Sequence, residues 1–451
     1  MLLVRPPGPP PVTRNPLVLL AHLSSMRSDP TDAVSERFQR YGDLYHLSFL
    51  GRDVYVTRHP EHIQQILVSQ AERFEKPRGG VVATQLRRLL GDGLLLSNGD
   101  LWRRQRRMIQ PAFRRERIDQ YARLVINLAE EFAIRLQDSQ ELDVSRSMME
   151  LTLHIVSKAL FDHDIGGDRD RVADATRVFR KAFGGLQALL PPTLPTPQNR
   201  RVQRAIGDLD ALIYGLIDER RKSHASASVD LLSALSGAVD REGDGAAMER
   251  SLIRDELLTL LLAGHETTSH ALSWTFHLLS QHPEVEARLR SEVLSVLGTR
   301  TPEPGDADKL HYTEQVLSEA MRLYPPAYVL ARVCVEEAQV GGFTVPVGTD
   351  AVIWIHHVHR DPRWFPNPGR FDPDRFSAAR KGTIPPFAYL PFGLGTRTCI
   401  GKHFALMEAK LVLACTLRRV SLQELGGPAV ARDMAVTLAP RGGLPMRVLK
   451  H

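Results

Sequence analysis

Residues Phe392-Gly393-Leu394-Gly395-Thr396-Arg397-Thr398-Cys399-Ile400-Gly401 set one cysteine among glycines, with an arginine two positions before it and a helical pattern after it. Glycine lets a backbone turn tightly and approach a flat cofactor closely. Amides at the start of the following helix, together with its dipole, favour a thiolate at Cys399. Arg397 is spaced to reach a carboxylate on a cofactor rim, and Phe392 to pack against the loop. The three cysteines, Cys334, Cys399 and Cys415, are odd in number and lack the pairing of a disulfide framework or zinc ribbon. A reducing compartment is therefore expected.

Other residues are spaced for chemistry. Glu319 and Arg322 lie on one side of a predicted helix, as do Trp102 and Arg106 on another. In Ala263-Gly264-His265-Glu266-Thr267-Thr268 the small residues allow close approach, and the Thr267 hydroxyl can bond the Ala263 carbonyl and open the helical ladder to water. His265 with His270 raises a second reading, a zinc hydrolase. Histidines five apart lie about 140° apart around a regular helix and cannot share one metal. His356, His357 and His359 sit in a strand-like stretch, where neighbours face opposite sides.

The cysteine loop, preceded by Glu319-x-x-Arg322-Leu323-Tyr324-Pro325-Pro326 and by Ala263 to Thr268, resembles the cytochrome P-450 family from about Pro6 to the C-terminus. The resemblance implies a mainly α fold with a minor β part, one domain over residues 1–451, and haem b between the long helix and the helix after Cys399. Cys399 would be the axial metal ligand, and thiolate ligation favours cleavage of the O–O bond. Phe392, Gly395, Arg397 and Gly401 would belong to the haem loop. Trp102 and Arg106 would bind one propionate and Arg332 another, while Ala263 and Gly264 would let the long helix pass the haem face. Glu319, Arg322 and Arg375 would form a buried charge triad behind the haem.

By the same resemblance, Glu266 would carry protons from solvent and Thr267 would direct them onto oxygen reduced at the iron. This pair favours a monooxygenase that inserts one atom of O₂ into an apolar substrate, over a non-catalytic haem-binding sensor. By position in the family, the substrate pocket would be formed near Leu260, Leu261 and Ala263, by 327–331 and 439–444, and by segments 79–95 and 183–196. Tyr328 and Arg441 are its candidate polar contacts, and a lipid, terpenoid or steroid-like molecule suits the rest. Around Cys399 the chain looks more like microbial fatty-acid hydroxylases and their eukaryotic relatives than camphor-type enzymes.

These groups need elements to hold them. Asp43 to Thr57 alternates around Gly51-Arg52 as a hairpin does, and a helix starts at Pro60. From Gly99 to about Leu297 the pattern is mostly helical, broken at Pro111 and at 191–197. Ser251 to His282 lacks proline and predicts one domain-crossing helix, and Thr313 predicts the N-cap of another ending at Tyr324. Val335 to Ile355 reads as short strands, Asp361 to Pro391 as irregular and functional, and Gly401 to Leu417 as helix.

With 451 residues and no visible linker or repeat, the chain is expected to be a single domain behind a proline-rich lead at 1–15. No apolar stretch is long enough to span a bilayer, so a cytoplasmic monomer without membrane anchor is expected. A net charge of +6 is too mild for a nucleic-acid coating and suits a small acidic partner. No flavin or iron–sulfur segment follows His451, so electrons from NAD(P)H would arrive through a separate ferredoxin or flavodoxin and its reductase. Arg103 and Arg107 should point away from the inward pair Trp102 and Arg106, and with Lys402 and Lys410 form its docking patch.

Overall fold

A computed structural model of the chain describes residues 5–9, 29–49, 51–162, 169–183, 192–222, 230–237, 240, 245 and 247–451. Its axis is the helix Arg250–Gln281, one residue ahead of the expected span at each end. At 1.5 Å per residue it runs about 48 Å. It is apolar nearly all round, because other elements cover every side of it. The helix Val144–Phe161 packs closest, and a Cβ on Gly264 would lie 2.9 Å from Val156 Cγ2. Thr152 adds an anchor, its Oγ1 donating to the His265 carbonyl at 3.0 Å.

Helices Arg115–Arg135 and Lys402–Leu417 close the core on one side of this axis, with the three-stranded sheet of Glu141–Asp143, Pro445–Lys450 and Val420–Glu424. On the other side, helices Val81–Leu90, Arg169–Ala182 and Pro197–Lys222 bury a second apolar cluster. A five-stranded sheet stands apart from both, in the order Leu44–Phe49, Arg52–Thr57, Asp350–Ile353, Leu330–Cys334, Phe74–Glu75. Its first pair is the expected hairpin, turning through Gly51 at φ +83°. Its one parallel pairing, Val54 to Thr57 alongside Asp350 to Ile353, joins an early segment of the chain to a much later one.

Local departures from the sequence reading have identifiable causes. The helix expected from Thr313 begins at His311, because the Glu292 carboxylate on a neighbouring helix accepts from the Tyr312 and Thr313 amides and from the Thr313 hydroxyl. The cap is thus supplied from outside the segment. His356 and His357 lie in a helical turn, Ile355–Val358, rather than a strand. The proline lead beyond residue 9 and most of the expected pocket segment 183–196 fall outside the described residues. Among the described residues no helix is long and apolar enough to cross a membrane.

One further contact positions the site. Trp274 on the central helix is fully buried, stacks on Tyr324 at 4.0 Å, and donates through Nε1 to the Leu438 carbonyl at 3.0 Å. This fixes the small hairpin Arg432–Met434 and Leu438–Pro440 against the middle of the central helix.

Candidate active site

The cysteine loop is closed by backbone bonds, from Gly393 N to Leu390 O at 3.0 Å and from Cys399 N to Phe392 O at 2.9 Å. Gly395 sits at φ +68°, and a Cβ there would lie 2.1 Å from the Leu67 carbonyl oxygen. Its close approach is thus to backbone on the outer side of the loop, not to the cavity as expected. Gly401 does line the cavity, and its amide bonds the Cys399 sulfur. Burial raises the Cys399 thiol, while that amide, Arg106 and Lys402 pull it down. The helix-start amides therefore act as expected, but burial outweighs them until a metal bonds the sulfur.

Cys399 opens onto a cavity of ≈ 1850 Å³, counting its mouth, between the loop and the central helix. Cys334 and Cys415 are buried elsewhere. Four cations line the same cavity: Lys76, Arg106, Arg332 and Arg397. No aspartate or glutamate lines it among the described residues. Arg332 comes from the sheet, is 6% exposed, and bonds only its neighbour's carbonyl, Ala331 O, at 2.9 Å. Burial lowers it to about 10, and burial, with Arg332 and Arg397 beside it, holds Lys76 well below its ordinary value. Arg106 donates to Thr398 O at 3.0 Å. Arg397 donates to Ser97 O and Asn98 Oδ1 and lies 4.1 Å over the Trp102 ring.

Buried cations without counter-charge are costly, so this wall is built for a ligand carrying carboxylates. A flat group with two acidic arms on one edge and a metal over the sulfur, haem b, fits the residues present. Lys76 is the member that sequence reasoning missed. It lies in an ordinary Phe-Glu-Lys-Pro stretch with no motif around it, and only the packing of the 74–76 strand end brings it there.

On the opposite wall, Thr267 faces the cavity and its Oγ1 donates to Ala263 O at 2.8 Å. The bond forms without opening the ladder, and the segment stays α-helical. Ala263 and Gly264 line the cavity too. Glu266 does not. It is 7% exposed and turned aside, its Oε1 accepting from the Thr437 hydroxyl at 3.0 Å, while burial pushes the pKa of its carboxyl above the ordinary carboxylate value. The two histidines of the zinc reading bond separate groups, His265 through Nδ1 to the Leu261 carbonyl at 2.7 Å and His270 to Thr437 at 3.0 Å.

Behind the loop, Arg322 grips Glu319 with both arms, at 2.7 and 2.8 Å, and Arg375 Nε adds a bond at 3.2 Å. Other expectations fail, at the surface and in the pocket. Lys410 is buried with its ammonium 3.0 Å from Glu314, so it cannot serve a docking patch. Arg107 pairs with Asp240 at 2.8 Å and Arg103 with Asp100 at 2.6 Å, so the arginines are engaged rather than free, although Arg103 stays exposed. In the pocket, Leu260, Ala327 and Leu330 are lining residues, but Leu261 is core and 439–444 does not reach the cavity. Tyr328 donates its hydroxyl to Met434 O and Arg441 is exposed, so neither is a pocket contact.

The family model described as Cytochrome P450 matches residues 7–442. The chain is 37% identical over 437 residues to cyclooctatin synthase of Streptomyces melanosporofaciens, covering 95% of this chain and 94% of that one. It is 33% identical to pentalenene oxygenase of Streptomyces avermitilis, covering 88% of each. The crystal structure of the cytochrome P450DA heme domain superposes with a TM-score of 0.88 at 28% identity, over 100% of this chain and 99% of that one.

Proposed function

The chain belongs to the cytochrome P450 family and is a haem-dependent monooxygenase of apolar substrates, and from that premise we propose how its own residues divide the work. The observation that carries the assignment is a single thiol, Cys399, facing four cations without a counter-anion across one cavity. Cys399 would supply the thiolate ligand to the iron, and Lys76, Arg106, Arg332 and Arg397 would hold the propionates. Haem bound there supplies O₂ activation, with O–O cleavage favoured by the thiolate. Trp102 stacks Arg397 in place. The free cysteines support a cytoplasmic setting, and the match over 7–442 supports reading the chain as one catalytic domain.

Thr267 holds a proton donor at the cavity wall and Glu266 replenishes it. Thr267→Ala should keep haem and substrate affinity, because the helix is otherwise intact. Product per NAD(P)H should fall about 10-fold or more, with the missing electrons recovered as hydrogen peroxide. Equal product yield in variant and parent would remove the role from Thr267 and pass it to Thr268, which also lines the cavity.

The substrate we propose is a cyclic terpenoid rich in carbon and poor in charge. The support is a wall of Leu94, Leu95, Leu260, Ala327 and Leu330, together with the names of two relatives, pentalenene oxygenase and cyclooctat-9-en-7-ol 5-monooxygenase. Purified protein screened for substrate-induced shifts of the haem Soret band tests this, with terpenoid alcohols and hydrocarbons against fatty acids of similar size.

Electrons come from a separate ferredoxin, met by Arg103 and Lys402. With Lys410 buried and Arg107 committed to Asp240, these two remain of the docking patch. Rim charges act on association rate. Arg103→Glu should therefore slow reduction by an acidic ferredoxin several-fold at low ionic strength and little at high, leaving peroxide-driven turnover intact. Loss of both routes together would assign Arg103 to structure instead.

A further inference from the structure

We propose that Thr437 and His270 are positioning residues for Glu266, holding its carboxyl by Oε1 so that its transferable proton sits on Oε2. The inference rests on the reading of Glu266 as the proton source and adds the residues that orient it. Thr437 lies in the turn between strands Arg432–Met434 and Leu438–Pro440, pinned to the central helix by Trp274. Its hydroxyl lies 3.0 Å from Glu266 Oε1 and 3.0 Å from His270 Nδ1.

The direction of these bonds follows from counting protons. His270 is fully enclosed and burial lowers it to about 3, so its ring is neutral and carries one N–H. Its Nε2 is buried and has no partner among the described residues. An unmade buried N–H costs more than an unused acceptor, so the ring proton sits on Nδ1, where Thr437 Oγ1 accepts it. The Thr437 proton is then left to donate to Glu266 Oε1. An oxygen that accepts this bond is the poorer place for the acid's own proton, which goes to Oε2.

Other charged groups face Glu266. Arg180, from the helix Arg169–Ala182, lowers its pKa, and Asp433, 2.5 Å from Arg180, raises it. His265 lies on the same helix and is itself neutral by burial. Burial is the largest influence, followed by Arg180 and then by the Thr437 bond, with Asp433 the smallest. When the proton leaves Oε2 towards the cavity, the charge remaining on the carboxylate is held by the Thr437 O–H, and a proton from solvent restores the acid.

The test uses haem-loaded enzyme and the variants Thr437→Val, nearly isosteric, and Thr437→Ser, which restores a hydroxyl. Infrared difference spectra identify the carboxylic C=O band of Glu266 as the one missing in Glu266→Gln. In Thr437→Val that band should move to higher frequency and its titration midpoint rise by about one pH unit, since a bond favouring the charged form is gone. Product per NAD(P)H should fall roughly two- to ten-fold, the size of one net hydrogen bond, with Thr437→Ser recovering both. An unmoved band in a folded Thr437→Val, judged by melting, overturns the bond. A moved band with parental coupling overturns its role in catalysis. If Glu266→Gln couples as well as the parent, the reading of Glu266 fails first, and this proposal with it.

Discussion

Cys399→Ser should yield a folded protein that holds haem weakly and lacks the red-shifted Soret band of the reduced carbon monoxide complex. The loop should survive because the bonds that close it, Cys399 N to Phe392 O and Gly393 N to Leu390 O, run through backbone and not through sulfur. The ligand should not. A serine hydroxyl is far harder to deprotonate than a thiol, so the electron donation behind the band and behind O–O cleavage is lost. O₂-dependent product should fall below detection. Cys334→Ser and Cys415→Ala are the controls, since Cys334 donates to Glu336 O at 2.9 Å and Cys415 is fully buried in the core, away from the cavity. A red-shifted band persisting in Cys399→Ser would mean that another residue ligates the iron.

What sequence reading recovered follows the range over which its signals act. The cysteine loop is local: glycine conformations, one arginine and one thiol within ten residues specify it. The long helix is also local, set by the absence of proline up to Pro283 and by its apolar content. Lys76 and Thr437 carry no pattern of their own, and they join the site only through a strand end and a hairpin turn folded from distant parts of the chain. Lys410 reads as a surface cation on a helix after the loop, yet that helix is covered on nearly every side, and only Glu314 from another helix makes the burial tolerable. Glu266 shows the same limit. Its type and place in the motif were legible, but its direction was set by Thr437, 171 residues away.

The charge triad should produce the second large effect, and its geometry ranks the substitutions. Glu319 Oε2 accepts Arg322 Nε at 2.7 Å, while Oε1 accepts Arg322 at 2.8 Å, the Asp372 amide at 3.0 Å and Arg375 at 3.2 Å. Arg322 also donates to the carbonyls of His359, Pro368 and Arg370. The His359 ring in turn accepts from Leu390 N at 3.0 Å, and Leu390 O accepts from Gly393 at the head of the cysteine loop. A continuous set of bonds thus runs from the triad to the backbone of the cysteine loop. Arg322→Ala should leave a fully buried carboxylate short of its main partner and three carbonyls without donors, costing about 3–5 kcal/mol. That is about a fifth or more of the stability of an ordinary protein. Arg375→Ala removes the longer bond to Glu319 and one to the Asn367 carbonyl but leaves the two-armed grip intact, so about 1–3 kcal/mol is expected. Arg322→Lys keeps the charge but not the fork, and should fall nearer to alanine than to the parent. Denaturant midpoints measured beside haem content decide the ranking: haem should be lost in the same order as stability, Arg322→Ala before Arg375→Ala. Equal midpoints and full haem in both alanine variants would detach the triad from the loop it is argued to hold.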